Sequence, residues 1–80
     1  MAFDWRDHFV QDPNICHGKT TLKGTRVMLS VLLANLAAGY SEAEIIENYP
    51  SLTHDHIRAA IAFAAMAAAE DIPLLEPTAA

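Results

Sequence analysis

A chain of 80 residues with a formal net charge of −5 and 52% apolar residues has the length of one small domain, and its acidic balance disfavours indiscriminate binding to nucleic acid. Its one cysteine, Cys16, excludes an internal disulfide and an all-cysteine zinc site, and an unpaired thiol suits a reducing cytoplasm. A domain of this size buries only about 60–65% of its unfolded surface, so a second subunit is a common source of added stability.

The chain opens on MAFDWRDHF, which has neither a basic n-region nor an apolar core, so no secretory leader is expected. Residues 8–11 read as a short strand. Asp12, Pro13 and Asn14 form a turn signal, and Gly18 and Gly24 take positive φ at little cost. Residues 20–23 and 26–28, with their Thr and Val, read as further short β segments. The expectation is a small N-terminal β-hairpin over about residues 7–28. Its charged residues from Asn14 to Met28 are Lys19, Lys23 and Arg26, with no acid among them.

The period then changes. Leu29, Leu32, Leu33 and Leu36 recur at i, i+3, i+4 and i+7 and predict a helix over about 29–38, closed by Gly39. Ser41 and Glu44 have the spacing of a capping box, and Tyr40 and Ile45 that of a hydrophobic staple, for a short helix over 42–48. Pro50 ends it. Thr53 caps a third helix over about 54–70, with Leu52 and Ile57 at staple spacing and Asp55 at the positive end of the helix dipole. Pro73 and Pro77 make 71–80 an extended tail. The result is a single mainly α domain over 1–70, three helices behind a hairpin, and the turn at 49–52 gives a helix-turn-helix layout.

The third helix carries the most information. Residues 59–69, AAIAFAAMAAA, hold no polar side chain. Ile57, Ile61, Ala64, Ala65 and Ala68 form one stripe, expected to pack on the first two helices. Ala59, Ala62, Phe63, Met66 and Ala69 form the other, where a surface helix is ordinarily charged. That second stripe is the expected contact face for a second copy or another protein, because exposed apolar patches mark interaction sites. The plainer alternative is that alanine is a strong helix former that tolerates exposure. No stretch approaches the ~20 apolar residues of a membrane span, so no membrane contact is expected.

The start of this helix is where a recognition helix meets bases. It offers Thr53, His54 and Arg58, with one fixed positive charge against Asp55. DNA readers neutralise phosphates with several Lys or Arg. Any nucleic-acid or anion contact therefore draws on Lys19, Lys23 and Arg26 as well. Against that stands their reading as a solvated turn. His8, Cys16 and His17 have poor spacing for a metal, HGKTTLKG lacks the phosphate-loop spacing, and no nucleophile–base pair stands out. Neither catalysis nor a cofactor is expected.

DPNICHGKTTLKGTRV, followed by LLANLAAGYSEAEIIENYPSLTHDHIRAAIAFAA, resembles a family of small prokaryotic proteins, domain-of-unknown-function family 433, from about Asp12 to Ala69. Asp12, Pro13, Ile15, Cys16, Gly18, Lys19, Gly24, Thr25, Arg26, Gly39, Tyr49, Pro50 and Leu52 fit its pattern. His17 stands where the family tends to have Gly, which disfavours positive φ there, and Thr20 stands where it tends to have Pro, which loosens the hairpin. The resemblance implies a winged or homeodomain-like three-helix fold. It also implies an antitoxin-like role beside a PIN-like nuclease toxin. Two functions follow as expectations: a non-enzymatic interaction module acting as a homodimer or on such a toxin, and a DNA-binding regulator.

Overall fold

The computed structural model describes residues 3–70, and the tail expected over 71–80 lies outside them. A 3₁₀ turn, Trp5–His8, leads into strand β1, Phe9–Val10; a second tight turn, Cys16–Gly18, precedes β2, Thr21–Leu22. Three helices follow: α1, Leu29–Ala37; α2, Glu42–Asn48; and α3, His54–Ala69.

The strands are short because local turns dominate. β1 and β2 pair antiparallel, Phe9 with Leu22 and Val10 with Thr21. A single bridge, Thr21 to Met28, is all that the third predicted β segment makes. Thr25 explains the bend between them. Its buried hydroxyl donates to the Leu22 carbonyl at 2.8 Å and accepts from the Val27 N–H at 3.0 Å. The hairpin is therefore pinned by side-chain hydrogen bonds more than by a ladder.

The Cys16–Gly18 turn is left-handed throughout, with φ of 50° at Cys16, 55° at His17 and 81° at Gly18. His17 thus adopts the conformation its side chain was expected to disfavour. The Gly18 N–H bonds back to Ile15 and the Lys19 N–H to Cys16, which holds the turn closed.

Each helix boundary has a chemical cause. At the end of α1, the Tyr40 N–H reaches the Asn35 carbonyl and the Gly39 N–H the Leu36 carbonyl, with Gly39 at φ 93°. This is a Schellman ending, which needs a residue free to go left-handed. Ser41 and Glu44 form a reciprocal capping box on α2. Thr53 and His56 form another on α3, with histidine where Glu or Gln is usual.

One core holds these pieces. Leu22 from the hairpin, Leu29 and Leu32 from α1, Ile45 from α2, Leu52 from the turn, and Ile57 and Ala60 from α3 are all buried. Each Leu or Ile so placed contributes about 1.5–3 kcal/mol. Tyr40, expected to staple Ile45, remains 46% exposed. Among the described residues no buried side-chain polar atom lacks a hydrogen-bond partner.

Candidate functional site

The sides of α3 are distributed differently from the sequence expectation. His56, Ile57, Ala59 and Ala60 are buried in its first half. Beyond them the helix has a covered side and a bare side. Phe63 lies on the covered side, edge-on to Trp5 at 5.5 Å and to Phe9 at 5.9 Å between ring centroids. The chain's own N-terminal turn is thus the principal neighbour of α3.

Of the residues expected to meet a partner, Ala59 is fully buried within its own fold, and Ala62, Phe63 and Met66 are half-buried; only Ala69 is exposed. Of the stripe expected to face inward, only Ile57 is buried. Ile61 is 50% exposed, and Ala64, Ala65 and Ala68 are exposed beside it. Beyond Ala60, and Ala69 apart, the two stripes have exchanged roles. The reason is area: Trp5 and Phe9 gain more by covering a phenylalanine ring than by covering alanines. The exposed set, Ile61, Ala64, Ala65 and Ala68, has the spacing of one helix face.

The other candidate region joins the basic hairpin to the start of α3. His56 connects them. Its Nδ1 accepts the Thr53 N–H at 3.0 Å, so its Nε2 carries the proton and donates to the Lys23 carbonyl at 3.0 Å. Lys23 is thereby held against the first turn of α3. Lys19, Lys23 and Arg26 are all exposed.

The remaining candidates there are engaged. The Thr53 hydroxyl accepts the His56 N–H. His54 lies 3.2 Å from Glu42, so a carboxylate already sits against its ring where an anion would approach. The Arg58 guanidinium stacks 4.1 Å above the Phe3 ring. The hairpin and the helix start are brought together, but the helix face that continues beyond Arg58 is apolar.

The Glu44 carboxyl is held below the ordinary carboxylate range first by the Ser41 backbone N–H that donates to it at 2.9 Å and then by the Ser41 hydroxyl. Cys16 is half-buried and donates its thiol to the Arg26 carbonyl at 3.4 Å. His8 stacks on Phe3 at 4.9 Å, so it serves the aromatic N-terminal cluster. Among the described residues no three His, Cys, Asp or Glu side chains group closely enough to hold a metal ion. No described helix is long and apolar enough to cross a membrane.

The sequence contributed the residues of this arrangement but not its partition. Trp5 and Phe9 were the missed participants; three large aromatics competing for one small core were the available signal.

Comparison with known proteins adds three findings. The model of the family described as "Protein of unknown function (DUF433)" matches residues 10–64. An uncharacterized protein of Sinorhizobium fredii, y4eO, is 36% identical over 59 residues, 74% of this chain and 27% of that protein. The chain therefore spans about a quarter of that curated relative's length. The crystal structure of a DUF433 member protein from Anabaena variabilis superposes with a TM-score of 0.67 at 25% identity, covering 81% of this chain and 64% of that one.

Proposed function

The chain belongs to the DUF433 family of proteins of unknown function, and from that premise we propose that it is a non-enzymatic protein-interaction module. In this reading it is the antitoxin-like half of a pair with a small PIN-like nuclease, working in the cytoplasm, and its first partner is a second copy of itself.

The observation that carries the reading is the bare apolar side of α3. Ile61 is half exposed in a run of exposed alanines, with no charged residue between Arg58 and Glu70. Covering the rest of Ile61 contributes roughly 1 kcal/mol. The alanines matter through shape: they let a second backbone approach closely and so multiply contacts. A surface helix with no such role is ordinarily charged on that side.

The test is co-expression with the product of the neighbouring gene, which this reading expects to be a small PIN-like nuclease. The wild type restores growth, and Ile61→Asp, at equal abundance, does not. Equal rescue by Ile61→Asp would remove the support that the outer face gives.

A second reading, a DNA-binding regulator, draws on one observation. The hydrogen bond from His56 to the Lys23 carbonyl sets the basic hairpin beside the start of α3, near Thr53, His54 and Arg58. Binding to DNA upstream of the gene, measured across a salt series, tests it. The triple change of Lys19, Lys23 and Arg26 to alanine flattens the slope by about 0.9 for each phosphate contact removed. No binding at low salt rejects this reading.

A further inference from the structure

Where Phe63 meets the start of α1, two hollows lie side by side. One, about 290 Å³, is bounded by Trp5, Phe9 and Gln11 among others. The other, about 340 Å³, is bounded by Lys19, Ser30 and Leu33. They share Thr20, Leu29 and Phe63, so they adjoin as one groove.

The groove is lined mostly by apolar side chains, with the neutral polar Gln11, Thr20 and Ser30 among them, and is charged at one point. Among the described residues Lys19 is the only charged side chain that lines it. The stretch that supplies Lys19, Thr20, Leu29, Ser30 and Leu33 has no acid anywhere from Pro13 to Ser41. That end of the groove therefore complements a carboxylate and repels a cation. Each hollow is near the ~300 Å³ lower end of small-molecule pockets, and such ligands are 70–90% enclosed when bound. These hollows open to solvent, which suits side chains reaching down from a backbone that stays outside.

We infer that this groove binds a peptide segment of a partner protein that presents two neighbouring apolar side chains, one to each hollow, and a carboxylate to Lys19. The inference rests on the reading of the chain as an interaction module, but it assigns a surface distinct from the Ile61 face. Charge complementarity selects the occupant: a second apolar helix without an acid leaves Lys19 unpaired.

Trp5 is the one tryptophan and lines the groove, so its emission reports occupancy directly. The full chain is titrated with three acetylated alanine-based peptides that differ only in a central Glu-Leu-Leu, Lys-Leu-Leu or Glu-Ser-Ser. Glu-Leu-Leu gives a saturable change in Trp5 emission. Lys-Leu-Leu binds roughly two- to fivefold more weakly, the scale of one exposed ion pair, and Glu-Ser-Ser gives no saturation. Lys19→Glu, a surface change, reverses the order of the first two peptides.

Ile61→Asp leaves the titration unchanged, so the groove and the α3 face can fail separately. The assignment is overturned by any of four results. Glu-Leu-Leu titrates without saturation; the charge preference survives Lys19→Glu; Ile61→Asp abolishes binding; or Trp5 emission follows protein concentration alone, which marks a second copy as the occupant.

Discussion

His17 is the plainest case of a residue held against its own preference. A left-handed conformation costs an L-residue about 1–2 kcal/mol, and the turn adopts it because the flanking N–H groups close back on Ile15 and Cys16. His17→Gly should therefore raise the urea midpoint by the equivalent of about 1 kcal/mol, with the larger unfolded-state entropy of glycine offsetting part of the relief. An unchanged or lower midpoint contradicts the strain. Glu44 makes a second, pH-dependent case. Its folded-state carboxyl titrates below the ordinary value because of its bonds to Ser41. The stability it contributes is present above the ordinary carboxylate pKa and is lost as pH falls through the lowered one. In Glu44→Gln the acid limb of thermal stability should be shallower; an identical limb would show that the box does not titrate. Ser41 and Glu44 were legible as a pair because their spacing is a known signature. The box at Thr53 was legible only in half. Histidine at its third position is no such signature, and the Lys23 carbonyl that fixes the His56 ring comes from a distant part of the chain.

At the scale of elements, α3 holds two apolar sides and the fold decides between them. Periodicity located the helix, Thr53 marked its start, and Gly39 and Pro50 marked its neighbours' ends, because those signals are local. Which side faces inward is set by Trp5 and Phe9, which arrive from the opposite end of the sequence, and no local pattern encodes that choice. Phe63 is consequently part of the chain's own packing. Phe63→Ala should cost about 1–3 kcal/mol in urea unfolding, in keeping with a partly buried ring, and should shift Trp5 emission. It should leave self-association, judged by mass, in place. A variant of undiminished stability that loses self-association would return Phe63 to the partner face.

For the molecule as a whole, the hairpin end is basic and the α2 end acidic, while the far half of α3 is neutral and oily. On the proposed reading that division sets two chemistries apart: phosphate or carboxylate would be sought at Lys19, Lys23 and Arg26, and an apolar partner at Ile61. The mainly α class and three-helix layout were readable from caps and periods. Which side of α3 is left bare was not, because a small core leaves several apolar surfaces competing for the same cover.

The central claim is that a second polypeptide covers the outer face of α3. Light scattering on the full chain at high micromolar concentration, beside Ile61→Asp with its helical circular dichroism intact, tests it most directly. The wild type should show twice the mass of one chain and the variant the mass of one; a wild type that stays single, with a mass the substitution does not alter, contradicts the claim.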